Sequence, residues 1–294
     1  NYIKIIHTNS VVSDNETPLT AVKNSKNTSM WKCINYQLEG NANISLSAGN
    51  TGVLLVISRM ILKMMSEISK PALAGLWPNK NGMNVVLDLG ANIECSEQNL
   101  IDFAEMGSAL YRSLFLNDKP KVALLNVGSE EIKGTETLKS TSKKLQNLSS
   151  EDNFIYKGYI EGNNIMSGES NVIVTDGFTG NIALKTAEGT ARQIAEYLRQ
   201  AMGGSVFSRL GYVFARSAFK NLRQRMDPNA ANGGMFLGLN GIVVKSHGGA
   251  DANGFASAVG VAIDVVDADI SNTIAADIEK MQILLDDAWA QTLD

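Results

Sequence analysis

The sequence predicts an α/β fold, with a doubly wound, largely parallel sheet and helices on both faces. Short apolar runs of about four to six residues alternate with longer stretches of helical periodicity, the pattern of repeated strand–helix units. Gly, Asn, Asp, Thr and Lys residues gather directly after these runs. Ligands bind at the carboxyl ends of strands in such sheets, so the same observations predict where a site lies.

Five strands are predicted, each followed by a polar loop. In chain order they lie at 42–47, 84–88, 121–125, 171–175 and 241–244. Periodicity near 3.6 predicts helices at 53–68, 96–115, 136–148, 181–202, 255–267 and 271–289. No low-complexity linker divides the chain, so residues 1–294 are expected to form one α/β domain with a basic amphipathic helical insertion at about 203–226.

Composition excludes several classes of protein. Of the 294 residues, 44% are hydrophobic and 19% charged, and the formal net charge is −4. This describes a globular, mildly acidic chain, which disfavours a general nucleic-acid binder. The two cysteines and two histidines have no metal-ligand spacing, so neither a disulfide framework nor a metal site is predicted. No signal peptide or membrane span is visible, which points to a reducing, cytoplasmic location.

Motif searches exclude three common catalytic loops. The sequence contains no G-x-G-x-x-G fingerprint, no G-x-x-x-x-G-K-[ST] phosphate loop and no G-x-S-x-G elbow. Two glycine-rich turns, Gly49–Gly52 and Gly177–Gly180, instead precede predicted helices, where backbone N–H groups and the helix dipole attract anions. These turns predict phosphate binding, with helix capping by Thr and Asn as the alternative.

Six charged or titratable residues complete this prediction. Lys133, Lys185 and Lys245 could supply positive charge to a phosphate. His247 follows a predicted strand and could act as an acid or base near neutral pH, or could hydrogen-bond its own loop. Asp88 and Asp176 end strands, where a carboxylate either contacts a ligand or fixes the loop backbone.

The segment 203–226 is basic and contains no acidic residue. Its apolar residues recur every three to four positions, which predicts an amphipathic helix or helical hairpin. Such a segment suits an anionic membrane surface or an acidic protein, and an ordinary solvated helix is the alternative. The basic side chains are Arg209, Arg216, Lys220, Arg223 and Arg225.

Several longer motifs follow one another along nearly the whole chain. They are NTSM at 27–30, SAGNTG at 47–52, KPAL at 70–73, DLGAN at 88–92, NVGSEEIKG at 126–134, DGFTGN at 176–181, GLNG at 238–241 and KSHG at 245–248. In these motifs the chain resembles PlsX, the bacterial family of acyl-carrier-protein:phosphate acyltransferases. The family usually opens on a strand and an Asp-Ala-Met-Gly-Gly-Asp segment. The sequence begins after that point, so an N-terminally incomplete catalytic domain is expected.

The resemblance implies a fold similar to isocitrate dehydrogenases and phosphotransacetylases, a three-layer sandwich. It implies transfer of a fatty acyl group from the thioester of acyl carrier protein to inorganic phosphate, giving acyl phosphate for phospholipid synthesis. It also implies a homodimer associated peripherally with the inner face of the membrane, and no cofactor. Three alternatives stay open: a phosphotransacetylase-like enzyme using acyl-CoA, a non-catalytic carrier- or membrane-binding scaffold, and a metal-dependent dehydrogenase. The last is disfavoured by the lack of an acidic metal cluster.

The resemblance also ranks the candidate residues. Lys133 matches a lysine implicated in catalysis in the family, and Asn181, Lys245 and His247 are further catalytic candidates, with His247 expected to protonate the leaving thiolate. The expected substrate and phosphate contacts are Gly49, Asn50, Thr51, Gly52, Asp88, Asn92, Asn126, Gly128, Asp176, Gly177, Thr179, Gly180, Lys185 and Asn240. The basic side chains of 203–226 are expected to dock carrier protein or membrane.

Overall fold

The structure is a computed structural model that describes residues 3–13, 18–23, 25–115, 119–149, 153–219 and 233–291. The helices of this part are α1 (Pro18–Lys23), α2 (Ser29–Leu38), α3 (Thr51–Leu62), α4 (Glu97–Phe115), α5 (Glu136–Leu148), α6 (Gly177–Gly203), α7 (Val206–Phe214), α8 (Ala252–Asp267) and α9 (Ile270–Gln291). The strands are β1 (Ser45–Ser47), β2 (Ala72–Asn79), β3 (Gly82–Leu87), β4 (Lys121–Leu125), β5 (Ile155–Ile160), β6 (Val172–Val174), β7 (Gly234–Leu237) and β8 (Val243–Lys245).

These strands form one mixed sheet in the order β1-β8-β7-β2-β3-β6-β4-β5. Four of the seven pairings between the described strands are parallel: β1 with β8, β3 with β6, β6 with β4 and β4 with β5. The central pairings β8–β7, β7–β2 and β2–β3 are antiparallel. The three reversals make β1 and β8 run opposite to β3, β4, β5 and β6.

Alternate residues of each strand enter two separate cores, one on each face of the sheet. In β3, Val85 and Leu87 pack into a core with α4, α8 and α9, whereas Val86 packs into a second core with α2 and α3. The same alternation holds for β4, β6 and β7. Because helices cover both faces of a mostly parallel sheet, the predicted three-layer α/β fold is confirmed.

The predicted elements are largely present, with informative differences. Strands β2 and β5 were not predicted, because Gly75, Pro78 and Gly158 interrupt the apolar pattern that identifies a strand. Strand β7 was missed because it has only four residues and begins with a glycine. Helix α3 ends at Leu62 instead of 68, since the next residue, Lys63, has a positive φ of 64°. Helix α6 begins four residues earlier than predicted because Asp176 caps it.

Helix α4 carries two carboxylates inside the core, Asp102 and Glu105. Asp102 accepts a hydrogen bond from Gln98 Nε2 at 2.8 Å, while its second oxygen has no hydrogen-bond partner among the described residues. Burial raises the pKa of Asp102 from 3.8 to about 6. The folded protein therefore holds this proton more tightly than the unfolded chain, and the ionised carboxylate destabilises the fold above pH 6.

Asp102→Asn is expected to raise the free energy of unfolding at pH 7.5 by about 1–3 kcal/mol, because it removes this buried charge and keeps the acceptor for Gln98. In the parent, stability contributed by this group grows as the pH falls from about 6 towards 4, and the variant should lack that gain. Urea unfolding at pH 7.5 and pH 5 measures both effects. Glu136→Gln, which changes an exposed carboxylate, is the control. A variant less stable than the parent at both pH values would contradict the assignment.

Candidate functional site

Asp88, directly after β3, organises the loop that follows it. The residue is fully buried, and its carboxylate accepts hydrogen bonds from two sources. One is the N–H of Leu73 on the neighbouring strand, at 3.0 Å. The other is its own loop: the N–H groups of Gly90 (3.1 Å), Ala91 (2.9 Å) and Asn92 (2.7 Å), and Asn92 Nδ2 (2.8 Å). Burial raises the pKa of Asp88, and the hydrogen bonds from Ala91, Leu73 and Asn92 oppose the rise.

With five donors on a buried carboxylate, Asp88 has no capacity to contact phosphate. It is a positioning residue for the loop, which was one of the two functions that the sequence left open. Asn92 is committed in the same way, because its Nδ2 also donates to Pro71 O at 2.7 Å. The sequence analysis placed both residues among the expected contacts with substrate, whereas in the structure their side chains hold the loop together.

The amino end of α6 packs directly on this loop. Gly177 donates its N–H to Asn92 O at 2.8 Å. A Cβ on Gly177 would lie 2.5 Å from that oxygen, and a Cβ on Gly180 would lie 1.9 Å from Asp88 O. Only glycine fits at either position, so these glycines allow the helix to pack closely on the loop. The sequence analysis predicted an anion-binding turn here and did not predict this packing.

Asp176 caps α6. Its carboxylate accepts from Thr179 N at 2.8 Å and from Thr179 Oγ1 at 2.9 Å, while Gly180 donates its N–H to the Asp176 carbonyl. Three N–H groups of this first turn are thus bonded within the chain. Asp176 therefore fixes the local backbone, the alternative that the sequence left open for it, and Asp176 rather than Thr179 is the cap. Because these N–H groups are already bonded, the attraction that this helix end offers an anion comes mainly from the helix dipole.

The loop after β4 carries Lys133. Asn126 holds the loop together, since its Oδ1 accepts from Val127 N at 2.8 Å and its Nδ2 donates to Lys133 O at 3.2 Å. Gly134, at a φ of 91°, passes so close that a Cβ would lie 2.5 Å from Asn126 Oδ1. A Cβ on Gly128 would in turn lie 3.0 Å from Lys133 Cγ. The loop therefore fixes the backbone of Lys133 while its side chain stays exposed.

Lys133 and Asn181 are the candidates at this edge whose side chains remain available. Both are exposed, and neither side chain makes a hydrogen bond or ion pair with any residue that the structure describes. Asn181 lies against the Asp88 loop, where a Cβ on Gly90 would be 3.1 Å from its Nδ2. The two groups extend from loops of β4 and β6, which are neighbours in the sheet. We refer to this edge, where β3, β4, β5 and β6 end, as the Lys133 edge.

A second group of candidates lies at the opposite edge, where β1 and β8 end, which we call the Lys245 edge: Gly49, Asn50, Thr51, Gly52, Lys245 and His247. A fully parallel sheet would bring all the predicted loops together, and the central reversal prevents it. Here Asn50 caps α3 by accepting from Val53 N at 3.1 Å, and Gly49 donates its N–H to Ser47 Oγ. Thr51 and Gly52 form the first turn of α3. His247 is exposed and accepts from Gly249 N at 3.0 Å.

Lys185, on α6, and Lys245, at the end of β8, lie close enough for their charges to interact. Lys245 is half-buried and donates to the carbonyl oxygens of Ala48 and Ser246. Burial lowers the pKa of Lys245, and the positive charge of Lys185 on α6 lowers it further. Lys185 pairs with Glu188 at 3.0 Å.

Three further observations limit the chemistry. Asn240 reaches the Lys133 edge, but its Nδ2 donates to Met64 O at 2.8 Å and so fixes the β7–β8 loop to the end of α3. Burial, and secondarily Asp88, raises the pKa of the Cys95 thiol to about 11, which disfavours a thiolate nucleophile. No group of three or more His, Cys, Asp or Glu in the described part of the chain is arranged to hold a metal ion.

The basic segment is helical as far as the structure describes it. Helix α7 exposes the apolar side chains of Phe207, Val213 and Phe214, and residues 216–219, with an exposed Arg216, are again helical. The side chain of Arg209, and all of Lys220, Arg223 and Arg225, lie outside what is described. Within the described residues, no helix is both long and apolar enough to cross a bilayer.

Residues 1–273 match the family model described as fatty acid synthesis protein. The chain belongs to this family. It is 52% identical over 275 residues to the phosphate acyltransferase of Pelagibacter ubique, an alignment that covers 94% of this chain and 82% of that protein. It is also 52% identical over 250 residues to the phosphate acyltransferase of Brucella canis, covering 85% of this chain and 72% of the relative. The predicted family and the predicted class of enzyme, an acyltransferase, are confirmed.

Solved structures support the fold of this fatty acid synthesis family member. The EutD phosphotransacetylase of Staphylococcus aureus superposes with a TM-score of 0.52 at 19% identity, over 89% of this chain and 71% of that one. A branched-chain phosphotransacylase from Enterococcus faecalis gives 0.54 at 13% identity, over 81% and 78%. At these identities the likeness establishes the α/β fold alone.

Proposed function

We propose that the chain transfers a fatty acyl group from the thioester of acyl carrier protein to inorganic phosphate. The relatives named phosphate acyltransferase support the reaction. The observation that carries the assignment of the site is that Lys133 and Asn181 stay uncommitted beside loops fixed by Asp88, Asn92 and Asn126. A rigid frame with one cation and one amide suits a small polyanion next to a carbonyl.

In this reaction a phosphate oxygen attacks the thioester carbonyl carbon. The new C–O bond forms, the C–S bond breaks, and the hydrogen phosphate proton passes to the leaving thiolate. No protein nucleophile is needed, in keeping with the raised pKa of Cys95. Lys133 holds phosphate by its positive charge, and Asn181 donates to the oxyanion that develops on the carbonyl.

The Lys245 edge has a supporting function in this proposal. Lys245, whose charge interacts with that of Lys185, attracts the anionic donor in this proposal. His247 also lies at this edge. The proton of hydrogen phosphate balances the reaction without it, and His247 stays the alternative donor to the thiolate that the sequence predicts.

Acyl phosphate formation from palmitoyl carrier protein, with and without phosphate, tests the proposal. The assay uses this chain and a version extended by the family's opening strand and loop, and it compares palmitoyl-CoA as donor. Phosphate-dependent product from either version with the carrier-protein donor supports the proposal. If product forms from palmitoyl-CoA but not from palmitoyl carrier protein, acyl-CoA is the donor. If neither version of the chain forms product from either donor, the proposed reaction is wrong.

Helix α7 supports a further part of the proposal, peripheral attachment to the inner face of the membrane. Its exposed Phe207 and Phe214 can enter the acyl boundary, while basic residues such as Arg216 face anionic headgroups. The double variant Phe207→Ser/Phe214→Ser is expected to lower binding to phosphatidylglycerol vesicles at least tenfold in co-sedimentation. Arg216→Glu should weaken binding mainly at low salt. If neither variant changes vesicle binding while carrier-protein binding falls, α7 docks the carrier protein instead.

We also propose a homodimer in the cytoplasm. The exposed side chains of Phe255, Val259 and Ile263 recur every four residues on α8 and form an apolar stripe suited to a second copy. Light scattering after gel filtration measures the mass directly. A dimer that dissociates in Val259→Glu is the expected result, and a monomer at micromolar concentration would contradict it.

A further inference from the structure

The loops of the Lys133 edge expose large apolar side chains next to their polar ones. Ile93, Val127 and Ile132 are 77%, 82% and 80% exposed, and Phe178 and Ile182 are 59% and 52% exposed. Each is the sequence neighbour of a candidate residue, since they adjoin Asn92, Asn126, Lys133, Gly177 and Asn181 respectively. Large apolar side chains left in water on two loops and on the first turns of α6 are unusual for a surface that contacts only phosphate.

The sheet topology brings these side chains to one place. The three loops follow β3, β6 and β4, which lie side by side in the order β3-β6-β4. Neighbouring strands are about 4.8 Å apart, so the loops arise within roughly 10 Å of one another. The apolar side chains therefore surround the end of β6, where α6 begins.

The geometry of α6 determines which way two of them point. Gly177 and Gly180 face the Asp88 loop, where a Cβ would collide with it. Phe178 and Ile182 are one turn apart on the exposed side of the helix, so they share a face that this packing leaves open. The packing of the loop thus presents an apolar face on the same helix turn that carries Asn181.

We propose that Ile93, Val127, Ile132, Phe178 and Ile182 form the binding surface for the alkyl chain of the acyl donor. This rests on the proposed function. The occupant is a long, unbranched alkyl chain, because the apolar side chains adjoin the cation and amide assigned to the reacting end. An amphiphile with its carbonyl at Lys133 and its chain along these loops meets both surfaces at once. The five residues then determine chain-length preference.

Binding of two unreactive donor analogues tests the inference without turnover. Octyl and ethyl thioethers of pantetheine are titrated calorimetrically into the chain and into its extended version. Each methylene removed from water favours binding about fourfold, so the octyl analogue should bind at least 100-fold more tightly. Ile132→Ser and Phe178→Ser should each weaken octyl binding about tenfold and change ethyl binding less than twofold. Ile155→Ser is the matched control, since that partly exposed residue begins β5 at the opposite edge.

Equal affinity for the two analogues would overturn the inference. So would tight octyl binding that Ile132→Ser and Phe178→Ser leave unchanged, or a loss of self-association in these variants without any change in octyl binding. The result is separable from the proposed reaction. If binding depends on chain length but no phosphate-dependent product forms, only the proposed reaction is contradicted. If product forms but binding does not depend on chain length, only the proposed alkyl-chain surface is contradicted.

Discussion

Lys133→Ala is expected to lower kcat/KM for acyl phosphate formation by about 10²–10³-fold, the usual effect of removing one preorganised charge from a site. Lys133 is exposed, and its backbone is held by Asn126 and by the close approach of Gly134, so the substitution should not disturb folding. The loss should appear in both kcat and the KM for phosphate, because the same ammonium group binds phosphate and aligns it for attack. Steady-state kinetics with saturating carrier-protein donor measures both constants.

Two variants control this experiment. Lys133→Arg keeps the charge and should recover part of the activity, although the guanidinium differs in shape and reach. Lys121→Ala removes an exposed lysine at the start of β4, the far end of the same strand, and should leave both constants unchanged. Nearly full turnover by Lys133→Ala would remove the residue from the site and shift attention to Lys185 and Lys245.

Gly180→Ala is expected to have the largest effect on the fold of the site. The new Cβ would lie 1.9 Å from the Asp88 carbonyl oxygen and 3.0 Å from its carbonyl carbon, so loop and helix must separate. Because backbone atoms cannot rotate away as a side chain can, we expect the free energy of unfolding to fall by about 3 kcal/mol. Activity should fall at least 100-fold even in the folded fraction, since Asn181 moves with the helix.

Gly189→Ala is the matched control on the same helix. A Cβ there meets nothing within 4 Å, so alanine should stabilise α6 by roughly 0.5–1 kcal/mol through its higher helix propensity. Urea unfolding followed by circular dichroism compares the two variants. If Gly180→Ala unfolds at the same urea concentration as Gly189→Ala, then the loop of Asp88 does not pack on α6 as described.

Local patterns predicted most of the secondary structure but not the direction of the strands. The helices α4 and α5 begin and end within one residue of their predicted positions, because capping and apolar periodicity are local signals. The reversal at β2 and β7 depends on long-range pairing, such as Leu73 with Phe236, which no local pattern contains. That reversal divides the predicted site residues between two edges.

The roles of the polar candidate residues could not be predicted from local sequence either. Asn and Asp after a strand signal either a ligand contact or a loop clamp, and the sequence cannot distinguish them. The hydrogen bonds show that Asp88, Asn92 and Asn126 hold loops together, and our proposal assigns Lys133 and Asn181 to the substrate. The hydrogen bonds that Asp88 and Asn92 make to Leu73 N–H in β2 and to Pro71 O just before it were missed, because β2 itself was not predicted.

Oxygen labelling tests the central claim, that phosphate itself attacks the thioester. Palmitoyl carrier protein is incubated with the protein and phosphate in which all four oxygens are ¹⁸O, and the acyl phosphate is analysed by mass spectrometry. Direct attack forms the C–O bond from a phosphate oxygen, so the product should retain all four labels and its amount should depend on phosphate. A product that has lost one label, or no phosphate-dependent product from this chain and its extended version, would contradict the claim.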